Sequence, residues 1–213
     1  MKIISPSFQI LTEINGEKIL EDIELFGRTA YKSSDKISED SARKFVSMLV
    51  RRGHESVIEH ISITVKIVCN RGVSHELVRH RIASYTQEST RFCNYNNDRF
   101  GKEITFIKPI FFEEGSLEYN FWRMACLFSE LSYSQLIVAG AKPEEARDVL
   151  NNALATEIVV TMNLRSWRNF FKLRTSIQAH PQMREIAIPL LKEFQKQVPI
   201  IFDDIVVIGD SNE

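Results

Sequence analysis

The chain contains few cysteines, and their spacing is not typical of a metal or redox site. Cys69, Cys93 and Cys126 are the three cysteines among 213 residues, and no two of them form a Cys-x-x-Cys pair. An odd number of widely spaced cysteines argues against a disulfide framework and against a zinc site built on paired cysteines. We therefore expect free thiols and a cytoplasmic location.

The sequence also lacks a long hydrophobic run and an excess of charge of either sign. No apolar segment approaches the roughly 20 residues that span a bilayer, and the N-terminal segment does not have the pattern of a signal peptide. The 27 Lys and Arg oppose 28 Asp and Glu, which gives a formal net charge of −1. Because this balance creates no overall field that attracts nucleic acid, we expect neither a membrane nor a nucleic acid as partner.

Glycine-rich nucleotide loops and metal-binding motifs are missing as well. No Gly-x-Gly-x-x-Gly loop follows a strand-like segment, which argues against a Rossmann site. The segment Gly53–His60 carries two His and two Glu without the His-Glu-x-x-His spacing, so we predict no metal site there. A structural interpretation of this segment is that a helix ends at Gly53 and that Glu59 and His60 pair with each other.

The composition, 44% hydrophobic and 26% charged, is that of an ordinary globular protein. The length suits one domain over residues 1–213. Apolar residues recur at helical spacing in several long segments and alternate with polar residues in others, which predicts an α+β fold with several long helices and a mostly antiparallel sheet. Strands are predicted at 3–11, 61–69, 104–107 and 156–162, and helices at 17–31, after a cap at Ser38, from a cap at Ser74 to Arg81, at 116–138, from Pro143, at 165–174 and at 181–198.

The helix predicted at 116–138 has a strongly apolar stripe. Such helices often leave apolar surface for contacts between subunits, so we expect an oligomer. The stripe consists of Leu117, Phe121, Met124, Phe128, Leu131 and Val138.

Cations and hydroxyl groups are concentrated in the segment RHRIASYTQESTR, residues 79–91. Arginine binds phosphate and carboxylate groups through two parallel hydrogen bonds. A solvated charged surface would mix signs and contain Lys, whereas this segment has no Lys and one Glu. We predict that a short helix delivers Arg79, His80 and Arg81 to an irregular loop, 83–101, that binds a nucleotide. The alternative is a surface loop in which basic residues occur by chance.

A second polar segment, Asn163–Arg174, has two faces on a helical wheel. Arg165 and Asn169 share one face, and an aromatic face lies opposite. Arg174 falls in the middle of the aromatic face, where an arginine is costly unless it is paired or lines a site. It either supplies a guanidinium to a partly buried anionic ligand or extends along the surface to reach water.

These segments resemble the motifs of the flavin-dependent thymidylate synthase family. Residues 79–91 are similar to the family signature RHRxxSxxxxSxR, residues 53–60 to GHxSxxEH, and residues 163–174 to NxRSxxxFxxLR. The resemblance implies the reductive methylation of dUMP to dTMP. It further implies a bound FAD, NADPH as its reductant, and 5,10-methylenetetrahydrofolate as the one-carbon donor.

The same resemblance implies a role for each matching position. The implied catalytic residues are Arg174, beside the uracil ring, and His54, near the flavin and the folate. The implied FAD-binding residues are Ser56, Arg79, His80, Arg81, Gln87, Asn163, Arg165 and Asn169. The implied dUMP-binding residues are Glu76, Arg79, Gln87, Glu88, Ser89, Thr90, Arg91, Arg147 and Arg174.

The resemblance also implies a homotetramer whose active sites are shared between subunits. Two positions depart from the family pattern: Glu76, where some relatives have Gln, and Phe92, where relatives often have Tyr. Since a carboxylate repels a phosphate, we expect Glu76 to turn away or to pair with Arg79 or Arg91. Two other functions stay open here, a Cys93-dependent nucleotide methylase and a regulator that binds a nucleotide or flavin without catalysis.

Overall fold

In the computed structural model, which describes residues 1–97 and 103–207, two long strands position the helices. β3 (Ser62–Asn70) and β6 (Ala155–Asn163) bury alternate side chains, as expected for strands with one face against a core. The hydroxyl oxygens of Thr64 and Thr161 meet between these strands at 2.9 Å. Because a slip of one residue would turn every buried side chain outward, this alternation fixes the register.

The fold is α+β, with seven α-helices and a mostly antiparallel sheet among the described residues. None of these helices is long and apolar enough to cross a membrane. The other elements are β1 (Lys2–Ile4), β2 (Ser7–Ile10), α1 (Gly16–Thr29), α2 (Ser41–Arg51), α3 (Arg71–Leu77), β4 (Ser84–Gln87), β5 (Thr105–Ile107), α4 (Leu117–Val138), α5 (Pro143–Ala146), α6 (Leu164–Arg174) and α7 (Pro181–Gln197). One sheet has the strand order β2-β3-β6-β4, and β1 pairs in parallel with β5 in a separate sheet.

An asparagine at the end of each long strand begins the next helix. Asn70 Oδ1 accepts a hydrogen bond from the Val73 N–H at 2.7 Å, and Asn163 Oδ1 accepts one from the Ser166 N–H at 2.8 Å. Each side chain satisfies one of the first backbone N–H groups of a helix, which have no partner within the helix. These two caps therefore determine where α3 and α6 start.

The chain groups into two compact units, each with its own core. Unit 1 comprises residues 1–8, 66–79 and 85–159, and unit 2 comprises residues 9–65, 80–84 and 160–213. Whether the two units together form one domain over residues 1–213, as the sequence predicts, stays a prediction. The core of unit 1 includes Tyr95, Ile104, Phe106, Cys126, Tyr133, Ala146 and Leu154. Unit 2 contains an aromatic cluster of Trp167, Phe170, Phe171, Phe194 and Phe202, with ring centroids 5.1 to 5.7 Å apart.

Helix α4 presents its apolar stripe to the outside of the single chain. Phe121 is 66% exposed and Val138 is 76% exposed, and the other four stripe residues are exposed as well. The buried residues of α4 are instead Cys126, Ser129 and Tyr133. The stripe is therefore present, but it does not hold α4 to its own unit.

Two strand and helix predictions near the N-terminus are wrong in detail. Residues 3–11 form β1 and β2 in different sheets rather than one strand, because Pro6 has no N–H to donate to a ladder. Ser38 does not cap α2, whose N-cap residue is Asp40. The Ser38 N–H instead donates to Ser41 Oγ at 2.9 Å, and this hydroxyl donates to Glu24 at 2.6 Å.

The prediction for residues 74–101 also needs correction. Ser74 lies inside α3, because Asn70 already caps that helix. Since α3 ends at Leu77, the residues 79–81 follow the helix and do not lie on it. The predicted irregular loop contains the strand β4, and its residues 98–101 lie outside the described part of the chain.

The end of α2 at Gly53 is confirmed and has a defined geometry. The Gly53 N–H donates to the Val50 C=O at 3.0 Å, and the His54 N–H donates to the Leu49 C=O at 2.9 Å. Gly53 has φ +69°, the left-handed conformation that this helix-ending motif requires and that glycine adopts without strain.

We predict that Gly53→Ala lowers the free energy of unfolding by about 1 kcal/mol, because a Cβ disfavours positive φ. The neighbouring Arg52→Ala is the control, since Arg52 has an ordinary helical conformation with φ −88°. Urea unfolding measures both changes. An equal loss of stability in the two variants would contradict a specific role of Gly53 in ending α2.

Candidate active site

Helix α6 has a buried aromatic face and an exposed polar face. Trp167, Phe170 and Phe171 are fully buried, whereas Arg165 and Asn169 are exposed. The Trp167 indole N–H also donates to a backbone C=O of β3 at 3.0 Å. The two faces predicted from the sequence are confirmed, and they determine which side of α6 meets solvent.

The polar face of α6 lines a groove of about 410 Å³ in unit 2, called groove A. Four residues with an implied role in FAD binding lie along it, namely Arg81, Asn163, Arg165 and Asn169. Its other lining residues are Glu55, Glu59, Ile82, Ser166 and Lys172. Residues from the RHR segment and from α6, distant in sequence, are therefore brought together.

Groove A carries charges of both signs. Arg165 forms an ion pair with Glu59, and its Nε lies 3.9 Å from a Glu55 carboxylate oxygen. Lys172 Nζ lies 3.7 Å from the same carboxylate group. Glu59 pairs with Arg165 rather than with His60, so the structural interpretation of residues 53–60 is wrong on this point.

The donors of groove A fit the diphosphate of FAD. Guanidinium and ammonium groups form charge-assisted hydrogen bonds to phosphate oxygens, and Arg81, Arg165 and Lys172 provide three such cations in one groove. The Asn169 amide adds a neutral donor. Because Glu55 lies beside Arg165 and Lys172, and Glu59 pairs with Arg165, a phosphate at these two cations has to compete with the carboxylates.

A buried arginine that the sequence analysis missed connects groove A to the segment after α7. The Arg168 side chain is 2% exposed. Its Nε donates to Glu55 at 2.9 Å, and its two terminal nitrogens donate to the Asp204 carboxylate at 2.6 and 2.8 Å. It also donates to the Ile201 C=O. The hydrogen bond from Arg168 lowers the pKa of Asp204 below its usual value.

Arg174, implied as a catalytic residue, contacts His80 within unit 2. Arg174 Nε donates a hydrogen bond to His80 Nε2 at 2.8 Å. The residue His80 is 7% exposed, and its ring packs edge-on against Phe170 with centroids 5.1 Å apart. Burial, and then the charge of Arg174, lower the pKa of His80 to about 4, so that its imidazole is neutral near pH 7.

A second groove, of about 610 Å³ and called groove B, lies in unit 1. Its lining includes Gln87 and Glu88, both with implied roles in dUMP binding. The Gln87 amide nitrogen donates to Ser74 Oγ at 2.9 Å and to Thr156 Oγ1 at 3.2 Å. Glu88 accepts a hydrogen bond from the Tyr95 hydroxyl at 2.7 Å. Both residues are therefore held in fixed positions.

The residues after β4 form a tight turn. The Ser89 C=O accepts hydrogen bonds from the Phe92 N–H at 3.2 Å and the Cys93 N–H at 3.0 Å. Arg91 Nε donates to Glu144 on α5 at 2.7 Å, and its guanidinium lies over the Phe92 ring, 5.3 Å from the centroid. Arg91 thus has a carboxylate partner that a bound phosphate would have to replace.

The other residues with implied roles do not belong to the described lining of either groove. Arg147 begins a 3₁₀ turn after α5. Within residues 1–97 and 103–207, no three His, Cys, Asp or Glu side chains come close enough to hold a metal ion. His54, Ser56, Arg79 and Arg147 are exposed, and Glu76, Ser89 and Thr90 are half-buried.

Comparison with known proteins identifies the family. A family model described as thymidylate synthase complementing protein matches residues 14–200. The flavin-dependent thymidylate synthase of Pyrococcus furiosus is 36% identical over 176 residues, which cover 82% of this chain and 71% of the relative. The chain belongs to the flavin-dependent thymidylate synthase family. The enzyme of that name from Corynebacterium aurimucosum is 33% identical over 211 residues, covering 90% of this chain and 82% of the relative.

The fold of this family member is similar to that of a solved UMP/dUMP methylase. PolB from Streptomyces cacaoi, bound with 5-Br dUMP, superposes with a TM-score of 0.77 at 22% identity over 95% of this chain and 96% of PolB. A second PolB structure, bound with 5-Br UMP, gives a TM-score of 0.75 at 18% identity, covering 95% of each chain. At this level of identity the similarity concerns the fold, and it confirms the α+β class.

We predict that Arg168→Met lowers the free energy of unfolding by about 1.5–3 kcal/mol, because the change removes the hydrogen bonds of a buried cation to Glu55, Asp204 and the Ile201 C=O. Arg43→Met is the matched control. Arg43 pairs with Glu17 on the surface, where its side chain is 55% exposed, and such pairs contribute about 0–1 kcal/mol. Chemical unfolding compares the two, and similar losses would contradict the role assigned to Arg168.

Proposed function

We propose that this family member is a flavin-dependent thymidylate synthase, a cytoplasmic enzyme that converts dUMP to dTMP by reductive methylation. Methylenetetrahydrofolate donates the one-carbon unit, NADPH donates the electrons, and C5 of uracil loses its proton as it gains a methyl group. Family membership supports this reaction class. The observation that carries the assignment is the convergence of Arg81, Asn163, Arg165 and Asn169 on groove A.

We assign groove A to FAD. A bound FAD supplies the hydride that reduces the transferred one-carbon unit. Arg81 and Arg165 bind its phosphate oxygens, for which Arg165 exchanges its contact with Glu59. Asn163 uses Oδ1 to cap α6, so its amide nitrogen is the group that donates to the cofactor.

We assign Arg174 to the uracil ring of dUMP. A fixed cation beside the uracil ring stabilises the negative charge that the ring oxygens carry in its deprotonated form. C5 of this electron-rich ring then attacks the one-carbon unit. The phosphate of dUMP is bound by Arg79, Arg91 and Arg147, with the hydroxyls of Ser89 and Thr90 beside them. His54 orients the substrate or transfers a proton beside the flavin.

The active enzyme is a homotetramer with active sites shared between subunits. The exposed apolar stripe of α4, which includes Phe121 and Val138, supports this state, since a contiguous apolar surface is characteristic of an interface. A second copy of the chain covers this stripe. In a shared site, Gln87–Arg91 of one subunit and Arg174 of another contact the same dUMP.

The first test is whether the purified protein binds FAD and forms dTMP. We expect a yellow protein with bound FAD that converts dUMP to dTMP when methylenetetrahydrofolate and NADPH are supplied. A colourless protein that takes up no added FAD would contradict the proposal. Cys93→Ala should retain activity, whereas its loss would favour a Cys93-dependent methylase.

Arg174→Ala should lower kcat for dTMP formation at least ~100-fold, as expected when a charge-stabilising donor is lost, while bound FAD is retained. Retention is expected because Arg165 and Asn169, on the polar face of α6, hold the cofactor. Leu173→Ala, next to it and 54% exposed, is the control and should change neither quantity. Loss of FAD in Arg174→Ala would contradict the separate assignment of the two faces.

A further inference from the structure

His80 lies where two residues of one helix face meet. Phe170 and Arg174 are four residues apart on α6 and therefore lie one above the other on the same side of the helix. The imidazole contacts both, edge-on to the Phe170 ring at 5.1 Å and through Nε2 to Arg174 Nε at 2.8 Å. With 7% of its surface exposed, its position is set by packing.

The hydrogen bond between His80 and Arg174 has a defined direction. Arginine has donors and no acceptor, so His80 Nε2 must accept and the ring proton lies on Nδ1. The distance of 2.8 Å is at the short end for protein hydrogen bonds. This arrangement requires a neutral imidazole, which agrees with the low pKa of His80.

A neutral acceptor orients an arginine without cancelling its charge. Two other arginines of α6, Arg165 and Arg168, bind carboxylates at Glu55, Glu59 and Asp204. A carboxylate balances the charge of a guanidinium, whereas a neutral imidazole fixes the direction of the guanidinium and does not itself balance that charge.

We propose that His80 is a positioning residue for Arg174: its neutral imidazole holds Nε and thereby aims the guanidinium at the uracil ring. This role rests on the proposed function, because it presumes that Arg174 acts on dUMP. It differs from direct flavin binding, the role that the motif implies for His80, because the effect passes through Arg174. Removal of His80 should therefore affect the turnover of dUMP more than the retention of FAD.

Three substitutions separate these roles. His80→Gln places an amide oxygen near the position of Nε2 and so keeps a hydrogen-bond acceptor. His80→Phe and the smaller His80→Leu fill the site with an apolar side chain and remove the acceptor. We expect His80→Phe or His80→Leu to lower kcat about 10- to 100-fold, in line with the loss of a hydrogen bond to a charged group. His80→Gln should restore most of this loss, and all three should retain FAD.

A double-mutant cycle with Arg174→Ala provides the decisive kinetic result. If His80 acts through Arg174, adding His80→Leu to Arg174→Ala lowers kcat no further. The proposal would be overturned if His80→Leu lowered kcat by the same factor with and without Arg174→Ala. It would also be overturned if the activity fell only in proportion to the amount of bound FAD, with kcat per bound flavin unchanged. His80→Leu serves in this cycle because the larger ring of Phe strains a packed site more.

Crystal structures of the wild type, His80→Gln and His80→Leu test the same proposal without activity. We expect the Arg174 guanidinium to keep its position in the Gln variant and to be displaced in the Leu variant. An unmoved Arg174 in His80→Leu would overturn the proposal even if the wild type makes dTMP. Conversely, a wild type that makes no dTMP while Arg174 moves as expected would refute the proposed function but not the positioning of Arg174 by His80.

Discussion

The arrangement of the candidate site depends on the burial of one face of helix α6. Trp167, Phe170 and Phe171 are fully buried, and the rings of Trp167 and Phe171 pack against Phe194 of α7. Complete burial of one large apolar side chain contributes about 1.5–3 kcal/mol, so any other rotation of α6 about its axis is strongly unfavourable. The same rotation that buries the rings turns Arg165 and Asn169 outward into groove A.

Ion pairs on α6 further constrain the helix whose rotation the aromatic cluster determines. Arg168, on the buried side, satisfies Glu55 and Asp204 and thereby ties the segment after α7 to groove A. Glu55 in turn lies between Arg168, Arg165 and Lys172. Breaking a buried pair leaves a charge without its partner in poorly solvated surroundings, so the network fixes Arg168, whereas Arg165 and Lys172 are about half exposed.

The sequence predicted the elements with strong periodicity and failed where two local signals compete. The alternation of β3 and β6 and the two faces of α6 are confirmed, because burial on one side imposes a period that the sequence shows directly. The sequence predicts Ser74 as the cap of α3, but Asn70 caps this helix. Both are good cap residues, and only the position where β3 ends selects between them. The apolar stripe of α4 is visible in the sequence, but a single sequence does not tell whether such a stripe packs against its own chain or against another.

Contacts between distant segments account for the rest of what the sequence missed. Two partners of Arg168, Glu55 and Asp204, lie 113 and 36 residues away from it in sequence, and Arg174 and His80 are 94 residues apart. No local pattern reports such pairs. The implied FAD residues of the RHR and α6 segments were recognisable as motifs, yet only the fold shows that four of them line one groove.

A crystal structure of the protein with FAD and dUMP bound tests the central claim most directly. The account predicts that the FAD diphosphate lies in groove A against Arg81 and Arg165. It also predicts that the uracil ring contacts Arg174, while Arg174 Nε keeps its hydrogen bond to His80. A flavin that binds away from Arg165 and Asn169, or a dUMP whose uracil ring has no contact with Arg174, would contradict it.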